Sequence, residues 1–71
     1  MTEVDLALLK ARDGKRVKLT CVDGDTIEGE VSMVSSEDVL LDGVRQPDGT
    51  VSYASVLYVQ FVEILTVDAV D

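Results

Sequence analysis

Apolar residues recur along this chain with two different periods, and the change falls at Gly14. Before it, Val4, Leu8 and Ala11 share one helical stripe with Leu9 beside them, so residues 2–12 are expected to form a short amphipathic helix. Thr2 is placed to cap its start, with Asp5 three positions on completing a capping box. Lys10 and Arg12 sit in the last turn, where cations suit the helix dipole, and Gly14 supplies the stop.

After Gly14 the period becomes two, the signature of half-buried strands. Val17, Leu19 and Cys21 face one side of a first strand over Arg16–Val22, and Asp23-Gly24 marks a tight hairpin. Thr26–Val34 alternates again, with Ile27, Val31 and Met33 inward and Glu28, Glu30 and Ser32 outward. Gly29 falls on the inward face, where a missing side chain lets a strand bend sharply. Ser35-Ser36-Glu37-Asp38 reads as a turn, Val39–Val44 as a third strand, and Arg45-Gln46-Pro47-Asp48-Gly49 as a tight loop. Val51–Val59 and Phe61–Val67 make two more strands. The expected architecture is mainly β: an N-terminal helix and a strongly bent five-stranded antiparallel barrel over residues 15–67, all in a single domain spanning residues 1–71.

The last two strands carry apolar residues on both faces. Val51, Tyr53, Leu57 and Val59 line one face of the fourth, and Ala54, Val56 and Tyr58 the other. In the fifth, Val62 and Ile64 oppose Phe61, Leu65 and Val67. One barrel has one inside, so this surplus points to burial against a neighbouring subunit through edge-strand pairing. Val56, Leu57, Tyr58, Val59, Phe61 and Leu65 are the candidate interface residues.

Size strengthens that reading. A chain of 71 residues buries only about 60% of its unfolded surface, and such a domain usually relies on disulfides, a metal or a partner subunit. Cys21 is the sole cysteine and there is no histidine, which leaves self-association. A hydrophobic content of 46% excludes a disordered tail. No apolar run spans a bilayer, and Met1-Thr2-Glu3 begins unlike a secretory signal, so a cytoplasmic setting without membrane contact is expected.

The net charge of −8 argues against a simple nucleic-acid binder, but it is unevenly distributed. Residues 1–18 carry five cations and three acids, a net of +2; residues 19–71 set Arg45 against eleven acids, a net of −10. Without histidine no Cys-His or Ser-His arrangement exists, and nucleotide-cradling glycine loops are absent, so no enzyme, cofactor or metal is expected. Asp23, Asp25, Glu28 and Glu30 lack calcium-loop spacing, and Cys21 reads as a small core residue.

Val17-x-Leu19, the Asp23-Gly24 turn, the bend glycine Gly29 and the Val39-Leu40-Leu41-Asp42 strand resemble the first motif of the Sm-like (LSm) family, within the wider group of SH3-like barrels. Tyr58–Leu65 falls where that family has its second motif, at the turn between strands four and five. The resemblance implies rings of six or seven copies, in which strand four of one subunit pairs with strand five of the next. It also implies single-stranded RNA, often uridine-rich, bound around a central pore.

The departures concern that pore. Where the family places Asp and Asn in the loop after strand two, this chain has Ser35 and Asp38, flanking Ser36 and Glu37. Where it carries Ile-Arg-Gly, the corresponding stretch is read as Leu57-Tyr58-Val59, and the Tyr-Lys-His of the bacterial branch is missing. Carboxylates there repel phosphate. The candidate RNA contacts are therefore Lys10, Arg12, Lys15 and Arg16, on a surface apart from the acids, together with Tyr58 as a base-stacking aromatic. The expected function is a non-catalytic homo-oligomeric ring with a role in RNA binding. The alternative is an SH3-like assembly module that forms oligomers and takes a protein partner instead of RNA. An acidic surface also suits a high-salt habitat, with RNA function intact.

Overall fold

The computed structural model describes residues 1–45 and 56–70. Helix α1 spans Glu3–Ala11, followed by strands β1 (Arg16–Cys21), β2 (Thr26–Val34), β3 (Asp38–Arg45), β4 (Val56–Gln60) and β5 (Ile64–Ala69). The strands form one antiparallel sheet in the order β4-β3-β2-β1-β5, so β1 is an interior strand and β4 and β5 are the edges. The fold class expected from the sequence is thus the one observed. The expected strand positions Val51, Tyr53 and Ala54 and the loop residues Gln46, Pro47, Asp48 and Gly49 lie outside the described residues.

Thr2 caps α1 through a complete capping box: its hydroxyl accepts from the Asp5 amide at 3.2 Å, and Asp5 accepts from the Thr2 amide at 3.1 Å. Part of the stripe read from the sequence is buried: Leu9 is fully buried and Leu8 packs on the core, whereas Val4 is 78% exposed and Ala11 is exposed. Asp5 faces β5 as well. Its second carboxylate oxygen accepts the amide of Val67 in β5 at 3.2 Å, so a polar residue occupies the inward face of the first turn.

The sheet bends where β2 crosses Gly29. A Cβ there would sit 3.1 Å from the Leu41 Cβ and 3.2 Å from the Asp42 carbonyl oxygen, so any larger residue would push β3 back by a few tenths of an ångström. Two register shifts flank it, one between Glu28 and Glu30 and one between Val31 and Met33. At the first, β3 holds the extra residue beside Gly43, whose φ of +56° suits the bulge. The second reverses the phase of β2, so Met33 is 48% exposed and Val34 packs on the core instead. A strict period of two had placed Met33 inward.

Inside the curve, Leu9, Val17, Leu19, Val31, Val39, Leu41, Val44, Val59, Ile64 and Val67 form one core drawn from the helix and all five strands. Cys21 is buried as well, as its alternation implied. Two departures occur near β5. The chain turns through a 3₁₀ segment at Phe61–Glu63 before β5 begins, and a register shift opposite Thr20 and Cys21 puts both Ile64 and Val67 inside. Val59 is a core residue at 2% exposure, not an exposed interface residue, because its side chain is the one in β4 that turns inward.

Candidate functional site

Three places on this fold could hold a function: the cations after the helix, the loops at one end of the sheet, and its open edges.

The cations divide into two groups. Arg12 Nη2 donates to the carbonyls of Arg16 at 2.9 Å and Val70 at 2.8 Å, fastening the end of α1 to β1 and to the chain beyond β5. Arg16 Nη2 donates to the Gly43 carbonyl at 3.3 Å, and its Nε lies 3.8 Å from Glu28, which also faces Arg45 at 4.0 Å. Both arginines hold the fold together. Lys10, Lys15 and Lys18 are exposed.

Pairing then changes the electrostatic picture. Because β1 lies between β2 and β5, Lys18 stands opposite Glu28 on β2 and Asp68 on β5, and Arg16 stands opposite Glu30. The basic and acidic parts of the sequence were expected on separate surfaces, but strand pairing interleaves them. Lys10, Arg12 and Lys15 lie outside the strands, and of these Arg12 is engaged with the backbone.

The loops meet through the backbone. Ser35 donates its amide to the Asp38 carbonyl at 2.9 Å, closing the β2–β3 turn, and the Phe61 amide donates to the Glu37 carbonyl at 2.9 Å. Asp38 pairs across the sheet with Gln60. Ser35, Ser36, Glu37 and Asp38 thus adjoin the 3₁₀ turn. The aligned residues of that turn were misplaced, however: Leu57-Tyr58-Val59 is strand, and the turn is formed by Phe61–Glu63 after Gln60. Gln60, exposed beside Asp38, was missed, and the signal available for it was the interruption of alternation at Gln60-Phe61. These loops carry Glu37, Asp38 and Glu63 and no cation among the described residues.

The edges are apolar. On β4, Val56 is 57%, Leu57 38% and Tyr58 59% exposed, and on β5 Leu65 is 53% exposed. Tyr58 and the lysines are not brought together within one copy, since β3 and β2 stand between β4 and β1 in the sheet. Phe61 is half-buried against the core.

Cys21 is poorly suited to nucleophilic chemistry. Burial pushes its thiol pKa up, and the carboxylates of Asp23, Glu63 and Asp25 push it further. Among the described residues no cluster of three or more His, Cys, Asp and Glu could hold a metal, and no helix is long and apolar enough to cross a membrane.

Solved structures resemble this one closely in fold. A protein from Pyrobaculum aerophilum, described as a novel Sm-like archaeal protein, matches with a TM-score of 0.75 at 17% identity, over 92% of this chain and 50% of that one. This chain therefore spans half the length of that relative. A heptameric archaeal Sm protein matches with a TM-score of 0.75 at 24% identity, over 92% of this chain and 98% of that one. No protein-family model matches the sequence, and no curated protein does.

Proposed function

We propose that this chain, which has the Sm-like fold, is a non-catalytic ring-forming protein whose copies join by pairing β4 of one with β5 of the next. One observation carries the reading: among the described residues β4 and β5 each have a strand partner on one side only, and both display apolar residues that a single copy leaves in water. The fold match to a heptameric archaeal Sm protein supports closure into a ring of six or seven copies. The ring's ligand on this reading is single-stranded nucleic acid, met by Lys10 and Lys15 in a salt-dependent way. Tyr58 contributes only if a ring sets it beside a neighbouring copy, because within one copy it lies on the far edge from β5.

Leu65→Asp, at an exposed position, should leave the copy folded and reduce the native mass to that of one chain. A native mass of 7.7 kDa for the unmutated protein at micromolar concentration refutes the ring. Lys10→Glu with Lys15→Glu should abolish binding of uridine-rich strands at low salt, and no binding by the unmutated protein refutes the nucleic-acid half.

The loops favour a second reading, an assembly module that takes a protein partner. Glu37, Asp38 and Glu63 repeated around a ring would repel phosphate and attract a basic protein. Partner binding indifferent to added RNA distinguishes it.

A further inference from the structure

An edge strand bonds its sheet partner through alternate residues and turns the amides between them outward. On β5 the Val70 amide donates to the Arg16 carbonyl at 3.2 Å, so alternation sends the amides of Thr66 and Asp68 toward β1 and that of Val67 to the open side. The outward amide is already engaged. It donates to the Asp5 carboxylate at 3.2 Å, and the same carboxylate accepts the Thr2 amide at 3.1 Å and the Thr2 hydroxyl at 2.8 Å. Leu9 is buried beneath α1, and Arg12 fastens the far end of the helix to the carbonyls of Arg16 and Val70. The carboxylate is therefore held in place on the strand edge.

A strand laid along β5 has to bond the Val67 amide to continue past it. There it meets an occupied donor and a carboxylate oxygen that repels its own carbonyls, a charged block on an otherwise available edge. Two residues earlier the edge differs in character, since Leu65 leaves an apolar side chain 53% exposed.

The block matters because side chains alone do not fix how a neighbour's β4 lies on β5. Val56, Tyr58 and Gln60 share the face of β4 opposite the buried Val59. A slip of one residue would turn that face over, but a slip of two keeps it. Such a slip would carry the next copy about 7 Å along β5. A ring closes only when every contact repeats the same rotation. We infer that Asp5 sets the register between copies, stopping a neighbour's β4 short of Val67 and confining it to the start of β5. This rests on the β4-to-β5 pairing proposed above and names the residue that makes that pairing single-valued.

The test is native mass spectrometry of the full chain and its variants. The unmutated protein should show one copy number, and Asp5→Ala should spread it over several. Thr2→Ala, which weakens the helix start but leaves Asp5 on Val67, should keep the single value. So should Asp5→Asn, whose amide oxygen can still accept the Val67 amide. Disulfide mapping reads the register without touching Asp5. Thr66 and Asp68 are non-hydrogen-bonded positions toward an incoming strand, where side chains come closest. Thr66→Cys combined with Val56→Cys or Tyr58→Cys should link copies on oxidation, whereas Asp68→Cys with either should not. A single copy number retained in folded Asp5→Ala, a spread equally caused by Thr2→Ala, or linking through Asp68→Cys as readily as through Thr66→Cys would overturn this inference and leave the ring standing. A 7.7 kDa species alone in the unmutated protein would remove the ring, and this inference with it.

Discussion

β1 and β4 are both short strands with several apolar residues, alternating with polar ones in β1 and set side by side in β4, and they end in opposite circumstances. Strand β1 has a partner on each side, and Val17 and Leu19 are wholly shielded from water. Strand β4 has a partner only in β3; Val59 alone reaches the core, and Val56, Leu57 and Tyr58 remain exposed. Place in the sheet, more than composition, decides whether an apolar strand stabilises its own copy or stays available to another. The same holds for charge: Lys18 acquires an acidic neighbour on each side because β1 lies between β2 and β5.

The sharpest way to break the comparison is to truncate the same residue type in each strand. Leu19→Ala should cost about 2–5 kcal/mol in denaturant unfolding, the range for a fully buried leucine. Leu57→Ala, measured under dilution to single copies, should cost less than about 1 kcal/mol. Similar losses at both positions would mean that β4 serves its own core as fully as β1 does. Next in size is Gly29→Val, whose side chain would press on Leu41 and the Asp42 carbonyl; overpacking of this kind costs about 1–3 kcal/mol. Thr2→Ala removes the helix cap and should cost about 1 kcal/mol by thermal or denaturant unfolding.

The smallest effect depends on pH. Hydrogen bonds from the Thr2 side chain, the Thr2 backbone and the Val67 backbone hold the Asp5 carboxyl below its usual range. Its contribution is therefore complete above the unfolded value, about 3.9, and is lost as pH falls through the lower folded value. Asp5→Asn should flatten the loss of stability below about pH 4, and an unchanged acid limb would show that these bonds do not favour the ionised form.

Much of the fold was legible because local signals agreed. The Thr2 and Asp5 box, the alternation of Val17, Leu19 and Cys21, the Asp23-Gly24 turn and the bend at Gly29 each specify their element from nearby residues. What escaped were phase changes. An extra residue in β2 turned Met33 outward, and another in β5 put Ile64 and Val67 on the same side. A bulge arises from the pairing of two strands, so a period counted along one strand passes over it. The inward place of Asp5 escaped for a related reason: its partner is the Val67 amide, 62 positions away, and no pattern among neighbours records it. The candidate site was half legible. The turn over Ser35 to Asp38 was read in its place, whereas the 3₁₀ turn at Phe61–Glu63 was taken for the start of the fifth strand.

The Asp5–Val67 bond also marks one amide for a different kind of observation. Val67 is paired with Leu19, yet its N–H points away from β1 and ends on a carboxylate of the helix. Its exchange with solvent deuterium is therefore governed by α1 staying in place, so it should report undocking of the helix separately from fraying of the sheet. Acidification through the Asp5 titration should release that proton before those held between β1 and β2, giving the edge of the sheet a protection that varies with pH.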